Sequence, residues 1–315
     1  MKIQITCILT GLLLWAAGTG QVFGASLVYQ TDFGLKDGAV CAMKGVAVGV
    51  DPELNLYDLT HEIPPFNIWE GAYRLHQTVA YWPSGTVFVS VVDPGVGTQR
   101  RSVAIRTKAG HLVVTPDNGT LTWLVEIEGI AEARQIDEAK QRRPGSNASH
   151  TFFGRDLYSY MGARLAAGKI GLEDVGPLLD PAILVIIPHQ KAEIVDGALC
   201  GAIPALDKQF GNVWTSIGKD LFDTLRPAFG DEFNVSIRKD GKEVYSARIP
   251  YVETFGKVTE GAPLLYLNSL LDVSFAINMG SFAEKHGIGS GPEWIVQVQP
   301  VKAKAGRDQA PSTER

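Results

Sequence analysis

Four aspartates stand where apolar, β-branched runs of the sequence end. They are Asp32, Asp58, Asp93 and Asp117. In a mostly parallel sheet the carboxyl ends of the strands lie at one edge, and ligands bind beyond that edge. Each aspartate alone is as well explained by a turn that it caps. Four in series predict instead a small-molecule site lined by carboxylates, which accept hydrogen bonds from hydroxyls and attract cations.

Common catalytic signatures are missing from the sequence. There is no G-x-S-x-G elbow, Walker loop, H-E-x-x-H or C-x-x-C motif. Asp58, His61 and Asp93 do not have the spacing of a standard metal site, so no metal is expected. The glycine-rich residues 287–291 neither follow the first strand nor open a long helix, so we interpret them as a loop.

The elements that position the aspartates alternate between strand and helix. The patterns predict strands at 26–31, 54–57, 86–92 and 111–115, and helices at 39–50 and 68–81. In the second helix, apolar residues recur at helical spacing, and Pro83-Ser84-Gly85 ends it. This alternation predicts an α/β domain with a mostly parallel sheet and flanking helices, spanning residues 25–190.

The pattern changes after residue 190. Shorter strand-like runs at 192–195, 213–216, 233–238, 243–249, 262–266 and 294–299 are broken by Gly, Asp and Asn. Lys239-Asp240-Gly241 lies between two of them and is typical of a hairpin turn. We predict a C-terminal antiparallel β-barrel domain over residues 191–300, followed by a polar, disordered tail at 301–315.

Composition and the N-terminus bound the class of protein. The 315 residues are 45% hydrophobic and 20% charged, with a net charge of −5, which excludes a basic footprint for nucleic acid or anionic membrane. Residues 1–24 resemble a signal peptide cut before Ala25, which predicts an exported protein, periplasmic or secreted. A membrane anchor is disfavoured because the apolar run is shorter than about 20 residues. Cys41 and Cys200 either form a disulfide or are two buried thiols.

Five longer motifs follow one another along the chain. They are Thr31-Asp32-Phe33-Gly34, Val92-Asp93-Pro94-Gly95-Val96-Gly97-Thr98 with Arg100 and Arg101, Pro116-Asp117-Asn118-Gly119, Thr151-Phe152-Phe153-Gly154-Arg155-Asp156, and Asp207 with Phe210-Gly211-Asn212-Val213-Trp214-Thr215. In this order the chain resembles the S-adenosyl-L-methionine (SAM) hydroxide adenosyltransferase family, the SAM hydrolases, which are related to the SAM-dependent fluorinase and chlorinase.

This resemblance implies an architecture and a reaction. The architecture is an N-terminal α/β domain and a C-terminal β-barrel in a homotrimer, with SAM bound between one subunit's N-terminal domain and its neighbour's barrel. The reaction is displacement of methionine from the ribose C5′ by water, which gives adenosine and L-methionine. SAM is then the substrate, no cofactor is expected, and neither nucleic acid nor membrane is a partner.

The resemblance also implies substrate-binding roles. Asp32 would bind the ribose diol, and Asp37 and Asp207 match positions at the methionine end. The aromatic pocket positions are Phe66, Phe210 and Trp214, whereas Phe153 departs from the family and would shape a drier pocket. Asn212 and Asn278 would bind adenine or orient backbone, and Ser269 would bind a carboxylate. Without the resemblance, the isolated aromatics are better explained as core residues.

The catalytic positions contain one departure from the family. Asp93 and Arg100 match two members of the water-activating group, and an aspartate there disfavours a halide by charge repulsion. The third member is a histidine, replaced here by Phe153, which cannot transfer a proton. Either Asp93 and Arg100 suffice for hydrolysis, or the chain binds SAM or adenosine without efficient turnover. His150, three residues earlier, could substitute only after a local shift.

Overall fold

The structure, a computed structural model, describes residues 25–301. Its N-terminal half is built on one sheet of seven strands: β1 (Ser26–Thr31), β2 (Asn55–Thr60), β3 (Val87–Val91), β4 (Ser102–Thr107), β5 (Leu112–Pro116), β6 (Ile130–Gln135) and β7 (Leu178–Leu179). Their order across the sheet is β2-β1-β3-β5-β4-β6-β7. β1 pairs in parallel with β2 and β3, and β3 pairs in parallel with β5. β4 is antiparallel to both its neighbours.

Helices cover both faces of this sheet. They are α1 (Ala39–Val50), α2 (Ile68–Val79), α3 (Glu138–Gln141) and α4 (Tyr160–Ala166), and a π-helical segment, Gly154–Ser159, runs directly into α4. Alternate strand residues face opposite sides: Leu27 packs with Met43 of α1, whereas Val28 packs with Leu75 of α2. A sheet covered on both faces explains why its central strands β1, β3 and β5 are almost entirely buried.

The C-terminal half consists of two antiparallel sheets. Its strands are β8 (Glu193–Val195), β9 (Ala198–Ile203), β10 (Ala205–Leu206), β11 (Val213–Gly218), β12 (Glu232–Lys239), β13 (Lys242–Pro250), β14 (Pro263–Leu267), β15 (Asp272–Ile277) and β16 (Gly291–Pro300). The sheet orders are β10-β11-β15-β14 and β13-β12-β16-β9-β8. Two short helices, α5 (Lys219–Asp223) and α6 (Phe282–His286), flank them. Apolar side chains of both sheets form one core.

Short helical turns complete the chain. A π-helical turn spans Leu124–Glu128, and 3₁₀ turns span Leu172–Asp174, Pro181–Ile183 and Phe255–Lys257. Within residues 25–301, no helix is both long enough and apolar enough to cross a membrane.

The two halves meet at α2. Trp69 donates its indole N–H to the carbonyl of Ile203 at 3.2 Å, and Arg74 donates to the carbonyl of Leu206 at 2.6 Å. Trp69 and Tyr73 also pack on Ala202 and other apolar residues of the C-terminal half. The amphipathic helix α2 therefore packs against the sheet with one face and against the C-terminal half with the other.

The predicted fold class is confirmed, with corrections in detail. The C-terminal strands pair as two sheets, and no closed barrel is found among the described residues. β4 is an antiparallel strand that the sequence patterns did not reveal, and β6, β7, β9, β10 and β15 were also missed. The Asp240-Gly241 hairpin is confirmed, with φ of 50° and 76° at its two turn residues. The predicted signal peptide lies outside the described residues, as does the predicted tail beyond Val301.

Candidate active site

A tight loop after β3 returns Arg100 onto Asp93. The Val96 amide donates to the Asp93 carbonyl, and the Thr98 hydroxyl and amide both donate to the Gly95 carbonyl. Arg100 Nε donates to Asp93 Oδ1 at 2.9 Å, and Nη2 donates to Oδ2 at 2.6 Å. Two parallel bonds between guanidinium and carboxylate fix both side chains and are stronger than neutral hydrogen bonds. The two predicted catalytic residues are thus in direct contact.

A polar network that the sequence did not reveal surrounds this pair. Arg100 Nη1 donates to the Ser102 hydroxyl at 2.9 Å and to Glu138 at 3.4 Å. Ser102 contacts the Tyr158 hydroxyl at 2.9 Å and donates to Glu138 at 2.6 Å. Burial lowers the pKa of Arg100, but the hydrogen bonds and charges of Asp93 and its neighbours raise it by more, so the net direction is upward. Arg100 therefore remains cationic.

Phe153 lies against the guanidinium of Arg100. The Arg100 Cζ is 5.1 Å from the ring centroid, and the ring is only 5% exposed. Arg142 Cζ lies 4.6 Å from the same centroid. The position of the family's histidine is therefore a dry, cation-binding aromatic face.

Asp32 immediately follows β1 and holds a strained turn. Its Oδ2 accepts the Phe66 amide at 2.8 Å, and Phe66 has a φ of 68°, which non-glycine residues rarely adopt. Phe66 is 72% exposed. Asp32 Oδ1 has no hydrogen-bond partner in the described part of the chain, so it is free to accept a hydroxyl.

Aromatic contacts join the Asp32 turn to the Phe153 pocket. The rings of Phe33 and Phe152 are 5.8 Å apart, and Phe33 also packs against Gly154. Phe33 directly follows Asp32, and Phe153 lies between Phe152 and Gly154. The Asp32 turn and the Phe153 pocket are therefore neighbours at the edge of the sheet.

The other acidic positions at this edge differ in their roles. Asp37 is exposed and accepts the Ala39 amide at the start of α1. Asp58 lies within β2 rather than after it, where it binds Lys44 and His61. Asp117 accepts two bonds from Arg101 and one from the Val185 amide. The expectation that all four sequence aspartates stand just beyond strand ends is therefore wrong for Asp58.

His61 forms a buried chain of hydrogen bonds behind Asp32. Its Nε2 lies 2.9 Å from Asp58 Oδ1, and its Nδ1 lies 2.8 Å from the Thr31 hydroxyl. Thr31 in turn accepts the Phe33 amide. The histidine that the sequence left as ordinary therefore orders the backbone on both sides of Asp32.

The C-terminal half contributes a separate cleft of about 720 Å³. Three predicted substrate-binding residues line it, namely Phe210, Asn212 and Asn278. Asp207 lies behind Asn212, whose amide donates to it at 3.1 Å. Phe255 also lines the cleft and was missed, because its run carries no motif. The volume is in the range of small-molecule sites, and two aromatic rings with amide groups suit a planar heterocycle.

Two predicted residues lie apart from this cleft lining. Trp214 packs at the junction of the halves, with Arg74 Cζ 5.4 Å from its ring centroid and Tyr73 alongside. Ser269 is exposed in the turn between β14 and β15. Neither Asp93 nor Asp32 lines the cleft. One chain therefore presents two groups of candidate residues, one on each half.

Neither cysteine belongs to the two groups of candidate residues, and the described residues form no metal-binding cluster beside them. Cys41 is an exposed thiol on α1, and Cys200 is a buried thiol on β9, so the two do not pair in this structure. Across residues 25–301, no three His, Cys, Asp or Glu side chains converge as a metal site.

Sequence comparisons find relatives over most of the chain. An (R)-S-adenosyl-L-methionine hydrolase of Salinispora tropica is 34% identical over 263 residues, covering 84% of this chain and 94% of the relative. A protein of the same name from Methanocaldococcus jannaschii is 38% identical, covering 63% of this chain and 71% of the relative. A fluorinase of Actinopolyspora mzabensis is 29% identical, with coverages of 84% and 94%.

The fold and two family models agree with these relatives. A crystal structure of an uncharacterized conserved protein from Thermotoga maritima superposes with a TM-score of 0.77 at 32% identity, covering 87% of this chain and 99% of that one. The SAM hydroxide adenosyltransferase N-terminal domain matches residues 27–176, and the C-terminal domain of the same family matches residues 201–295. The family models, the relatives and the fold together lead to one conclusion: the chain belongs to the SAM hydroxide adenosyltransferase family.

Proposed function

We propose that this protein hydrolyses SAM to adenosine and L-methionine. The observation that carries the proposal is the Asp93–Arg100 pair, which is held in two-point contact against the buried Phe153 ring. A water held by this carboxylate stands in a desolvated pocket at the sheet edge, where placement and electrostatics act most strongly. Relatives named SAM hydrolase support the same reaction.

The proposed reaction is an in-line displacement. The water oxygen forms a bond to the ribose C5′, while the bond from C5′ to the sulfonium sulfur breaks and its electron pair neutralises the sulfur. The proton released by the water passes to Asp93 or to solvent. Arg100 keeps the carboxylate ionised and oriented. The negative charge of Asp93 favours neutral water over a halide, which supports hydrolysis over fluorinase-type chemistry.

The remaining residues would bind the substrate. Asp32 Oδ1 accepts a ribose hydroxyl, while the cleft between Phe210 and Phe255 takes the adenine, with Asn212 and Asn278 at its edge. Asp37, Asp207 and Ser269 would serve the methionine end, and Phe66 and Trp214 would enclose the sulfonium. Since the two groups lie on different halves, we propose that a homotrimer brings the cleft of one subunit to the Asp32 edge of the next.

The direct test is product formation. The protein lacking residues 1–24 is incubated with SAM, and adenosine and methionine are followed by chromatography. The matched control is Asp93→Asn, which keeps the shape and removes the charge, and we expect it to lose about 10²–10⁴-fold in rate. Adenosine formation no faster than in this control would refute hydrolysis.

A second candidate function is SAM or adenosine binding without efficient turnover. Phe153 favours it, because a buried phenylalanine cannot accept the proton that the family's histidine could. Calorimetry and the chromatographic assay separate the two candidates. Tight SAM binding by the wild type without turnover, together with turnover gained by Phe153→His, supports the binding protein, whereas wild-type turnover that falls in Phe153→His supports the enzyme.

A further inference from the structure

Arg142 is a buried charge without a carboxylate. The residue is 8% exposed, and no acidic side chain within residues 25–301 forms an ion pair with it. Its Nε donates to the Ser146 hydroxyl at 3.2 Å, and its Nη2 donates to the Ser149 carbonyl. Nη1 has no protein acceptor, yet it is not among the fully enclosed unpaired atoms. The two N–H groups of Nη1 therefore face space that a water or small anion can reach.

Arg142 contacts the same Phe153 ring as Arg100, the partner of Asp93. Arg142 and Arg100 each lie within about 5 Å of the Phe153 ring centroid, so their guanidinium carbons are less than 10 Å apart. Arg100 is neutralised by Asp93 and Glu138. Arg142 is not, and a buried unpaired cation stabilises any negative charge that develops nearby.

We propose that Arg142 is a positioning residue for the attacking water. Its uncompensated charge favours the hydroxide-like form of the nucleophile, and its contact with Phe153 orders the ring on which Arg100 rests. This inference rests on the proposed function. It assigns to Arg142 the electrostatic stabilisation of the nucleophile, which Phe153 cannot provide.

The groups that face this pocket set its pH response. From the elements packed around it they are Asp93, Arg100, Glu138, Arg142, His150 and Tyr158. Nearby along the chain, Asp156 is paired with both Arg143 and Arg155. The His150 carbonyl lies beside Gly97 of the Asp93 loop, and its side chain is exposed. Only Arg142 among the arginines of this group lacks a carboxylate partner.

The first test is the pH dependence of SAM hydrolysis in Arg142→Met. At about 10 Å and an effective dielectric constant near 20, one unit charge shifts an ionisation by roughly one pH unit. We therefore expect the acid limb of kcat to move up by about one unit, a tenfold loss near neutral pH, with KM within twofold. Arg142→Lys restores most of the rate.

Arg143→Met is the matched control, since Arg143 is the adjacent arginine and is paired with Asp156, whereas the cations over the Phe153 ring are Arg100 and Arg142. It should leave the profile in place. An unchanged profile in Arg142→Met, or a loss of SAM affinity as large as the loss of rate, would overturn the proposal.

A second readout does not depend on turnover. Crystals of the wild type soaked in bromide should show an anomalous peak at Arg142 Nη1 that disappears in Arg142→Met. If the wild type makes no adenosine, the proposed function fails while the peak still identifies the uncompensated charge. Absence of bromide from Nη1 counts against the arginine itself, whatever the activity.

Discussion

At the scale of residues, most buried charges within residues 25–301 are paired with an opposite charge. Asp93 binds Arg100, Asp117 binds Arg101, and Glu70 binds both Arg74 and Lys208. A buried ion that loses its partner destabilises a protein by several kcal/mol, which explains these pairings. Arg142 departs from this pattern beside the candidate reaction pocket, where we propose that its unpaired charge favours the hydroxide-like form of the attacking water.

The first prediction concerns Asp32. Asp32→Asn keeps one oxygen to accept the Phe66 amide but replaces the free oxygen that would bind the ribose diol with an NH2 group, which cannot accept a hydrogen bond. A hydrogen bond to a charged group contributes about 1.5–3 kcal/mol, so SAM affinity should fall roughly 10- to 100-fold. Calorimetric titration measures it. Asp180→Asn is the control, because Asp180 also accepts a loop amide but lies outside both groups; equal losses in the two variants would exclude a role in binding.

The second prediction concerns Asp272 and pH. Burial raises the pKa of this carboxyl to about 7, opposed in part by the Tyr73 hydroxyl. The folded state therefore holds this proton more tightly than the unfolded state. The contribution of Asp272 to the free energy of unfolding is fully present below about pH 4 and is lost as the pH rises through 7. Asp272→Asn imitates the protonated form and should be more stable than the wild type at pH 8, by on the order of 2–4 kcal/mol.

Denaturant unfolding at pH 4 and pH 8 checks this difference. The gap between variant and wild type should widen with pH for Asp272→Asn and stay constant for Asp240→Asn in the exposed hairpin turn. A gap that is the same at both pH values would show that Asp272 does not bind the proton in the folded protein.

At the scale of elements, two helical glycines with opposite surroundings make the third prediction. A methyl group on Gly162 of α4 would overlap Val89 and touch Leu27, whereas one on Gly45 of α1 meets nothing within 4 Å. Gly162→Ala should therefore destabilise the fold by about 1–3 kcal/mol. Gly45→Ala should stabilise it by about 0.5–1 kcal/mol, since alanine loses less entropy in a helix. Thermal unfolding of both variants measures these changes. Equal shifts of the melting temperature in the two variants would contradict the packing described for α4.

The sequence predicted the elements that carry their own periodicity. The predicted strand at 26–31 and helix at 39–50 match β1 and α1, and the predicted helix at 68–81 matches α2 to within two residues. β4 was missed because its partners are β5 and β6, and antiparallel insertion next to a parallel strand depends on long-range pairing. The predicted barrel domain is antiparallel as expected, but its strands pair as two sheets, because strand runs do not specify how sheets close.

The candidate site divides along similar lines. Asp93 and Arg100 were predicted from a motif and are in contact, because only a tight loop of six residues separates them. Ser102, Glu138 and Tyr158 were missed, since they reach Arg100 from three different elements. Arg142 lies in a run of basic residues that looks like a solvated surface in the sequence. Its burial follows from the fold alone.

At the scale of the whole molecule, the fourth prediction tests the shared site. Phe210 is 66% exposed and Met279 is 84% exposed at the cleft, an apolar surface that suits a neighbouring subunit. Asp93→Asn damages only the N-terminal group, and Asn212→Ala damages only the cleft. If sites form between subunits, mixed oligomers of the two variants should regain about a quarter of the wild-type hydrolysis rate, since random pairing leaves that share of interfaces intact.

The mixing experiment requires subunits that exchange. Co-expression with two different tags ensures it, and sedimentation velocity reports the size of the assembly. Mixed oligomers that stay as inactive as the separate variants would place each site within one chain.

Arg100 and Arg101 share a peptide bond but are tied to different parts of the molecule. Arg100 is bound to Asp93, and Arg101 is bound to Asp117 and the carbonyl of Ile183, close to the segment that leads into the C-terminal half. A displacement of that segment would therefore move Arg101, and with it Arg100 and the loop around Asp93. If a neighbouring subunit docks against the segment in the proposed homotrimer, we expect slowed amide exchange to appear together at residues 100–101 and 183–185 on assembly.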